Sequence, residues 1–144
     1  MYLVIYTDGG ARGNPGPAGI GVAIYRGARG QGLGVSKLEL VEKFGRYIGE
    51  TTNNQAEYQA LLAALKRAYE LGAKTIDVMM DSELAVRQLN REYRVRNKGL
   101  APLFVKVWNE TLHFTSVRFK HIPREKNKEA DQMVNKAIDE ALQR

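Results

Sequence analysis

Tyr2-Leu3-Val4-Ile5-Tyr6-Thr7-Asp8-Gly9-Gly10 is the segment whose reading decides the fold. Its β-branched and aromatic run predicts a buried strand that delivers Asp8 to its C-terminal end, where the two glycines break the pattern. The following Gly13-Asn14-Pro15-Gly16-Pro17 is read as incompatible with regular structure, because two prolines remove amide donors and the glycines permit positive φ. The chain must turn there, resume as a strand from Gly19 to Tyr25, and return through a Gly-rich basic connection to a third strand within Leu38 to Ile48. From Asn54 the apolar period changes. Tyr58, Leu61, Leu62, Leu65 and Tyr69 recur at three and four residues and predict a helix closed by Gly72.

Ile76, Val78 and Met80 alternate as a fourth strand that ends in Asp81-Ser82, and the serine suits the cap of a short helix reaching about Asn90. Pro102 suits the first turn of another helix, with Phe104, Val107, Trp108 and Leu112 as its apolar stripe. Val117 and Phe119 share one face of a fifth strand. A last helix carries Ala130, Val134, Ala137, Ile138 and Ala141 along one side. Strands followed by alternating helices and strands imply an α/β fold, a mixed sheet covered by helices, with sequential antiparallel connections among the first three strands. With strands one and four joined by a right-handed crossover and paired in parallel, their ends lie about 4.8 Å apart. Asp8 and Asp81 are then neighbours.

Two carboxylates held that close repel unless one is protonated or a cation lies between them. The composition limits which cation. With no cysteine and only His113 and His121, thiolate and histidine-rich metal sites are excluded, so any metal is held by oxygen, which selects Mg²⁺ or Mn²⁺. The 144 residues, 44% hydrophobic and 26% charged, fit a single domain over residues 1–144 and exclude a low-complexity or collagen-like chain. The apolar start ends at Asp8, far short of the roughly 20 residues of a membrane helix, and lacks the features of a signal peptide, so a cytoplasmic location is expected. A net charge of +6, from 22 Lys/Arg against 16 Asp/Glu, favours a polyanionic partner. Its cations crowd Arg87 to Lys98 and the surroundings of His121, namely Arg118, Lys120, Arg124, Lys126 and Lys128.

Thr7 to Gly19, Thr52-Asn53-Asn54-Gln55-Ala56-Glu57, Asp81-Ser82, and His121 to Asp131 resemble, in order, the motifs of the type 1 ribonuclease H family. The resemblance covers almost the whole chain. It implies a ribonuclease H-like fold, a mixed five-stranded sheet of order 3-2-1-4-5 with its first three strands antiparallel and flanked by helices. It also implies endonucleolytic hydrolysis of the RNA strand of RNA–DNA hybrids by a two-metal-ion mechanism, leaving 5′-phosphate and 3′-hydroxyl ends. Asp8, Glu57, Asp81 and Asp131 match the family's catalytic, metal-holding carboxylates, with two Mg²⁺ ions as cofactors and Mn²⁺ as a substitute. His121 matches a histidine that assists proton transfer and product release; the strand parity of Val117, Phe119 and His121 equally fits a fixed structural or phosphate-facing histidine.

Asn14, Asn53, Asn54 and Gln55 match the family's minor-groove and backbone readers, and the carbonyls near Gly9 and Gly10 are candidates for contact with 2′-hydroxyls. Asn53 and Asn54 are also candidate helix caps. The expected partner is the hybrid duplex, with no membrane, no organic cofactor and a monomeric chain. Between Asp81 and Asp131 there is too little chain for the extra basic helix and loop of some bacterial members. The Arg87 to Lys98 stretch, with Arg94 and Arg96 beside Tyr93, is the expected substitute phosphate-gripping surface. The Arg26 to Leu38 connection is longer than the family's usual one and predicts an exposed hairpin. A non-catalytic nucleic-acid binder of the same fold, or a nuclease that also cuts RNA duplex, is the alternative. A phosphotransferase would need a second domain for which 144 residues leave no room.

Overall fold

The computed structural model of the protein describes residues 1–27 and 38–143. Strands β1 (Tyr2–Ala11), β2 (Gly16–Gly27), β3 (Leu38–Thr51), β4 (Thr75–Met80) and β5 (Ser116–His121) form one sheet in the order β3-β2-β1-β4-β5. β1–β2 and β2–β3 are antiparallel, while β4 runs parallel to both β1 and β5. This is the expected architecture. Helix α1 (Asn53–Glu70) leads into β4; α2 (Glu83–Leu89) and α3 (Ala101–Thr111) separate β4 from β5; α4 (Lys128–Leu142) ends the fold. Alternate residues of β1 face different helices: a side chain at Gly9 would meet Ala56 of α1, whereas one at Gly10 would meet Val134 of α4. The two helices therefore cover opposite faces of the sheet.

Leu3, Ile5, Val22, Ile24, Ile76, Val78 and Met80 pack on the α1 side against Tyr58, Leu61 and Leu65, all at 1% exposure or less. α3 packs on α1 through Val107. Gly72 has the expected left-handed conformation, φ 84°, just beyond the end of α1.

Several boundaries differ from the sequence reading. β1 does not end at Asp8: its ladder with β2 continues to Ala11, and only the parallel pairing with β4 stops, at Thr7. β2 begins at Gly16, so Pro17 lies within it. The Pro17 carbonyl accepts from Arg12 N–H at 2.8 Å, and the missing proline amide falls where β1 has already ended. β3 extends to Thr51. Two stripes are shorter than expected, since Tyr69 is 55% exposed and Leu112, which caps α3, is 71% exposed. Residues 28–37 of the predicted Arg26 to Leu38 hairpin lie outside the described residues. Among the described residues no helix is long and apolar enough to cross a membrane.

Candidate active site

Asp8 gains its neighbours because glycines let helices touch the sheet on both sides of it. At Gly9, an added Cβ would lie 2.2 Å from the Ala56 carbonyl oxygen and 2.5 Å from Glu57 N, so α1 can seat its second turn against β1 only over a glycine. At Gly21, which pairs with Asp8 across β1–β2, an added Cβ would lie 2.0 Å from the Ala130 carbonyl oxygen. That contact places the first turn of α4, and Asp131 with it, over the same point from the other face. Asp81 follows directly after β4, whose last pair with β1 is Thr7–Met80.

One carboxylate oxygen from each of Asp8, Glu57 and Asp81 lies within 4.8 Å of the others. Asp131 joins them in lining an open cavity of about 470 Å³, together with Gly9, Gly10, Asn53 and Asn54. At 4.8 Å and an effective dielectric of 20, each ionised pair repels by about 3 kcal/mol. Three such pairs would cost about 10 kcal/mol, comparable with the whole stability of a domain. The metal-free protein relieves this with protons. Burial, then the charges of Asp81 and Asp131, push the Asp8 carboxyl up to about 8. Burial, then Asp8 and Asp81, hold Glu57 well above the usual carboxylate range. Glu57 Oε2 is buried without a hydrogen-bond partner. An all-oxygen donor set, mutual repulsion and an orphaned buried oxygen together fit a hard divalent cation.

Neighbouring side chains fix the carboxylates. Asn127, 1% exposed, donates from Nδ2 to Asp81 Oδ2 and to the Thr7 carbonyl, both at 2.9 Å. Asn135 donates to the backbone carbonyl of Asp131 at 3.1 Å and to its Oδ2 at 3.4 Å, and Arg12 reaches Asn135 Oδ1 at 3.4 Å while pairing with Asp139 at 2.7 Å. Arg124, on a single 3-10 turn before α4, also lines the cavity. The sequence reading gave none of Asn127, Asn135 or Arg12 a role. Asn135 could have been found from its i+4 spacing to Asp131; Asn127 could not, because its contacts lie on β1 and at the end of β4.

The predicted amides divide. Thr52, not Asn53 or Asn54, caps α1, accepting from Gln55 N–H at 3.2 Å. Asn53 Oδ1 instead accepts from Ala11 N–H at 2.7 Å, and Asn14 Oδ1 accepts from Asn53 N–H at 3.0 Å, stitching the β1–β2 turn to the start of α1. Gln55 accepts from the Thr51 hydroxyl, and its Nε2 lies against Gly99. Asn14 and Gln55 are outside the cavity lining, as is His121, which is exposed at the end of β5 opposite Met80. Arg94 and Arg96 are exposed between α2 and α3, away from the carboxylates, and enter no ion pair among the described residues. Arg91 in the same stretch lies over the Trp108 ring at 4.5 Å, and Arg87 pairs with Glu83 at 2.9 Å.

A family model described as "Reverse transcriptase-like" matches residues 6–137. A ribonuclease H of Pseudomonas putida is 33% identical, with 94% of this chain and 93% of that protein covered. The chain belongs to the type 1 ribonuclease H family. The crystal structure of RNase H1 from Halobacterium salinarum superimposes with a TM-score of 0.88 at 34% identity over 97% of this chain and 99% of that one. LC11-RNase H1, solved in complex with RNA/DNA hybrid, gives 0.85 at 46% identity over 97% and 99%. The bifunctional protein Rv2228c of Mycobacterium tuberculosis is 38% identical over 99% of this chain, which spans only 37% of that relative's length.

Proposed function

We propose that this chain is an endoribonuclease that hydrolyses the RNA strand of RNA–DNA hybrids, leaving 5′-phosphate and 3′-hydroxyl ends, and that residues 1–144 act as one catalytic domain. The observation that carries the reading is the convergence of Asp8, Glu57, Asp81 and Asp131 on one cavity, with a buried oxygen of Glu57 left without a partner. The hybrid bound by LC11-RNase H1 supports the choice of substrate. Asp8, Glu57 and Asp81 would hold divalent cations, two Mg²⁺ with Mn²⁺ as a substitute, and Asp131 would complete the site from α4. When bound, the cations would supply a polarised water and charge neutralisation at the leaving oxygen.

The remaining work belongs to the protein. Asn14 and Asn53 spend their side-chain oxygens internally and keep an Nδ2 donor, which suits 2′-hydroxyl and phosphate oxygens and so reads RNA by shape rather than sequence. Asn54 and the Gly9-Gly10 backbone line the cavity, where they meet the scissile strand. Gln55, whose Nε2 lies against Gly99, sits beside the stretch that carries Arg94 and Arg96, our candidates for gripping the other strand. A proton-handling role for His121 requires its exposed ring to swing toward the cavity.

The test is a labelled panel of RNA–DNA hybrid, RNA duplex, DNA duplex and single strands with Mg²⁺, Mn²⁺ or chelator. The expected result is cleavage of the hybrid only, abolished by chelator and by Asp81→Asn. Equal cutting of RNA duplex would broaden the activity, and tight hybrid binding without cutting would replace it with a binder.

A further inference from the structure

We infer that Asn127 is a positioning residue that sets the cation affinity of the carboxylate cavity by tying the Asp81 carboxylate to the strand that carries Asp8 through one buried amide. The inference rests on the metal-dependent reading above. Asn127 opens α4, and an asparagine at that position normally turns its side-chain oxygen back onto the first free N–H groups of its own helix. Here it does not: the side chain makes no capping bond and points to the sheet. Its Nδ2 donates to the carbonyl of Thr7, the residue before Asp8, and to Asp81 Oδ2, while its main-chain carbonyl accepts from Asp131 N–H at 3.1 Å as the first bond of α4. One side chain at the start of the helix that carries Asp131 thus touches β1 beside Asp8 and the Asp81 carboxylate itself.

The arrangement is costly to the fold. Asn127 Oδ1 is buried with no hydrogen-bond partner. A serine at this position would remove that orphaned oxygen together with the donor to the Thr7 carbonyl and Asp81. What the asparagine supplies instead is a donor that occupies one oxygen of Asp81 and turns the other toward the cavity. That is how an outer partner orients a ligand and raises its affinity.

The experiment compares Asn127→Ser and Asn127→Ala with the unmodified chain and with Asp8→Asn as the control for the site. Mn²⁺ binding to the protein alone is followed by electron paramagnetic resonance, thermal unfolding is measured in chelator, and cleavage of hybrid is titrated with Mg²⁺. In Asn127→Ser the metal-free Tm should stay close to that of the unmodified chain, because removing the orphaned oxygen offsets the lost donor. Its Mn²⁺ Kd and the Mg²⁺ concentration for half-maximal cleavage should both rise about 10- to 100-fold. Mn²⁺ affinity within about twofold of the unmodified chain in both variants, or a loss seen only where Tm also falls, would overturn the positioning role. If instead the unmodified chain binds no Mn²⁺, or Asp8→Asn binds it equally well, the metal reading of the cavity fails and this inference fails with it.

Discussion

Replacing Asp8 with asparagine should stabilise the metal-free protein at alkaline pH, although Asp8 lies at the centre of the proposed site. The magnitude follows from the carboxylate spacing. With oxygens of Asp8, Glu57 and Asp81 within 4.8 Å of one another, removing the charge of Asp8 eliminates two of three repulsive pairs, each about 3 kcal/mol at an effective dielectric of 20. Protonation of the unmodified protein already relieves part of this, so a gain of about 3 kcal/mol is expected at pH 8.5. The sign is set by proton uptake. An Asp8 carboxyl at about 8 in the fold and 3.8 unfolded keeps a proton that the unfolded chain has lost, so stability falls as pH rises between these values. Below about pH 4 both states hold the proton and the substitution should bring no gain.

Urea unfolding of both proteins in chelator, at pH 4, 6 and 8.5, measures the difference directly, and repetition in millimolar Mg²⁺ should reverse it, because the cation stabilises only the intact carboxylate set. A stability of the unmodified protein that is flat from pH 4 to 8, or an Asp8→Asn variant equally destabilised at all three pH values, would refute the electrostatic account of the cavity.

Gly21→Ala should lose hybrid cleavage and about 2 kcal/mol or more of stability, since its methyl would sit 2.0 Å from the Ala130 carbonyl oxygen and lift α4 off β2; urea midpoints and initial rates check both. Arg118→Met should cost about 1–3 kcal/mol at neutral pH by stripping Asp77, which is 2% exposed, of contacts at 2.7 and 2.8 Å. Burial raises the Asp77 carboxyl, but the bonds from Arg118 and Tyr2 and the charge of Lys120 outweigh it and lower it overall, so the loss should shrink as pH falls below the ordinary carboxylate value. A pH-independent difference in urea midpoint would contradict this reading of Asp77.

The elements were legible because strand one is a continuous β-branched and aromatic run, strands four and five alternate, the turns mark strands two and three, and the long helices change the period to 3.6; Asp8 and Asp81 follow strands one and four closely. What the sequence concealed was contact between elements far apart in the chain. Asp8 was read as a strand end, since Gly9 and Gly10 look like breakers; in the fold Gly9 is a close-approach site for α1, a role that no local pattern distinguishes from a turn. Asn53 looked like a cap because asparagines favour caps, yet Thr52 holds that position and frees Asn53 to bind Ala11. Asn127 was given no role, and only coordinates bring it to Thr7 and Asp81.

These misreadings share a cause that also explains the construction of the cavity. Bringing carboxylates together opposes folding, so the site must be imposed by elements whose packing is secured elsewhere. α1 is secured by Tyr58, Leu61 and Leu65 in the core, and α4 by Ala130, Val134 and Ile138, all at 5% exposure or less. Each helix delivers its acidic residue from the turn that rests on a glycine, Glu57 over Gly9 and Asp131 over Gly21, so the apolar contacts farther along each helix hold the charges in place. On this reasoning the glycines and the carboxylates should respond oppositely in the metal-free state. Neutralising a carboxylate relaxes the fold, whereas adding a methyl at Gly9 or Gly21 destabilises it, and both abolish the chemistry. A site assembled on loops would not separate stability from activity in this way.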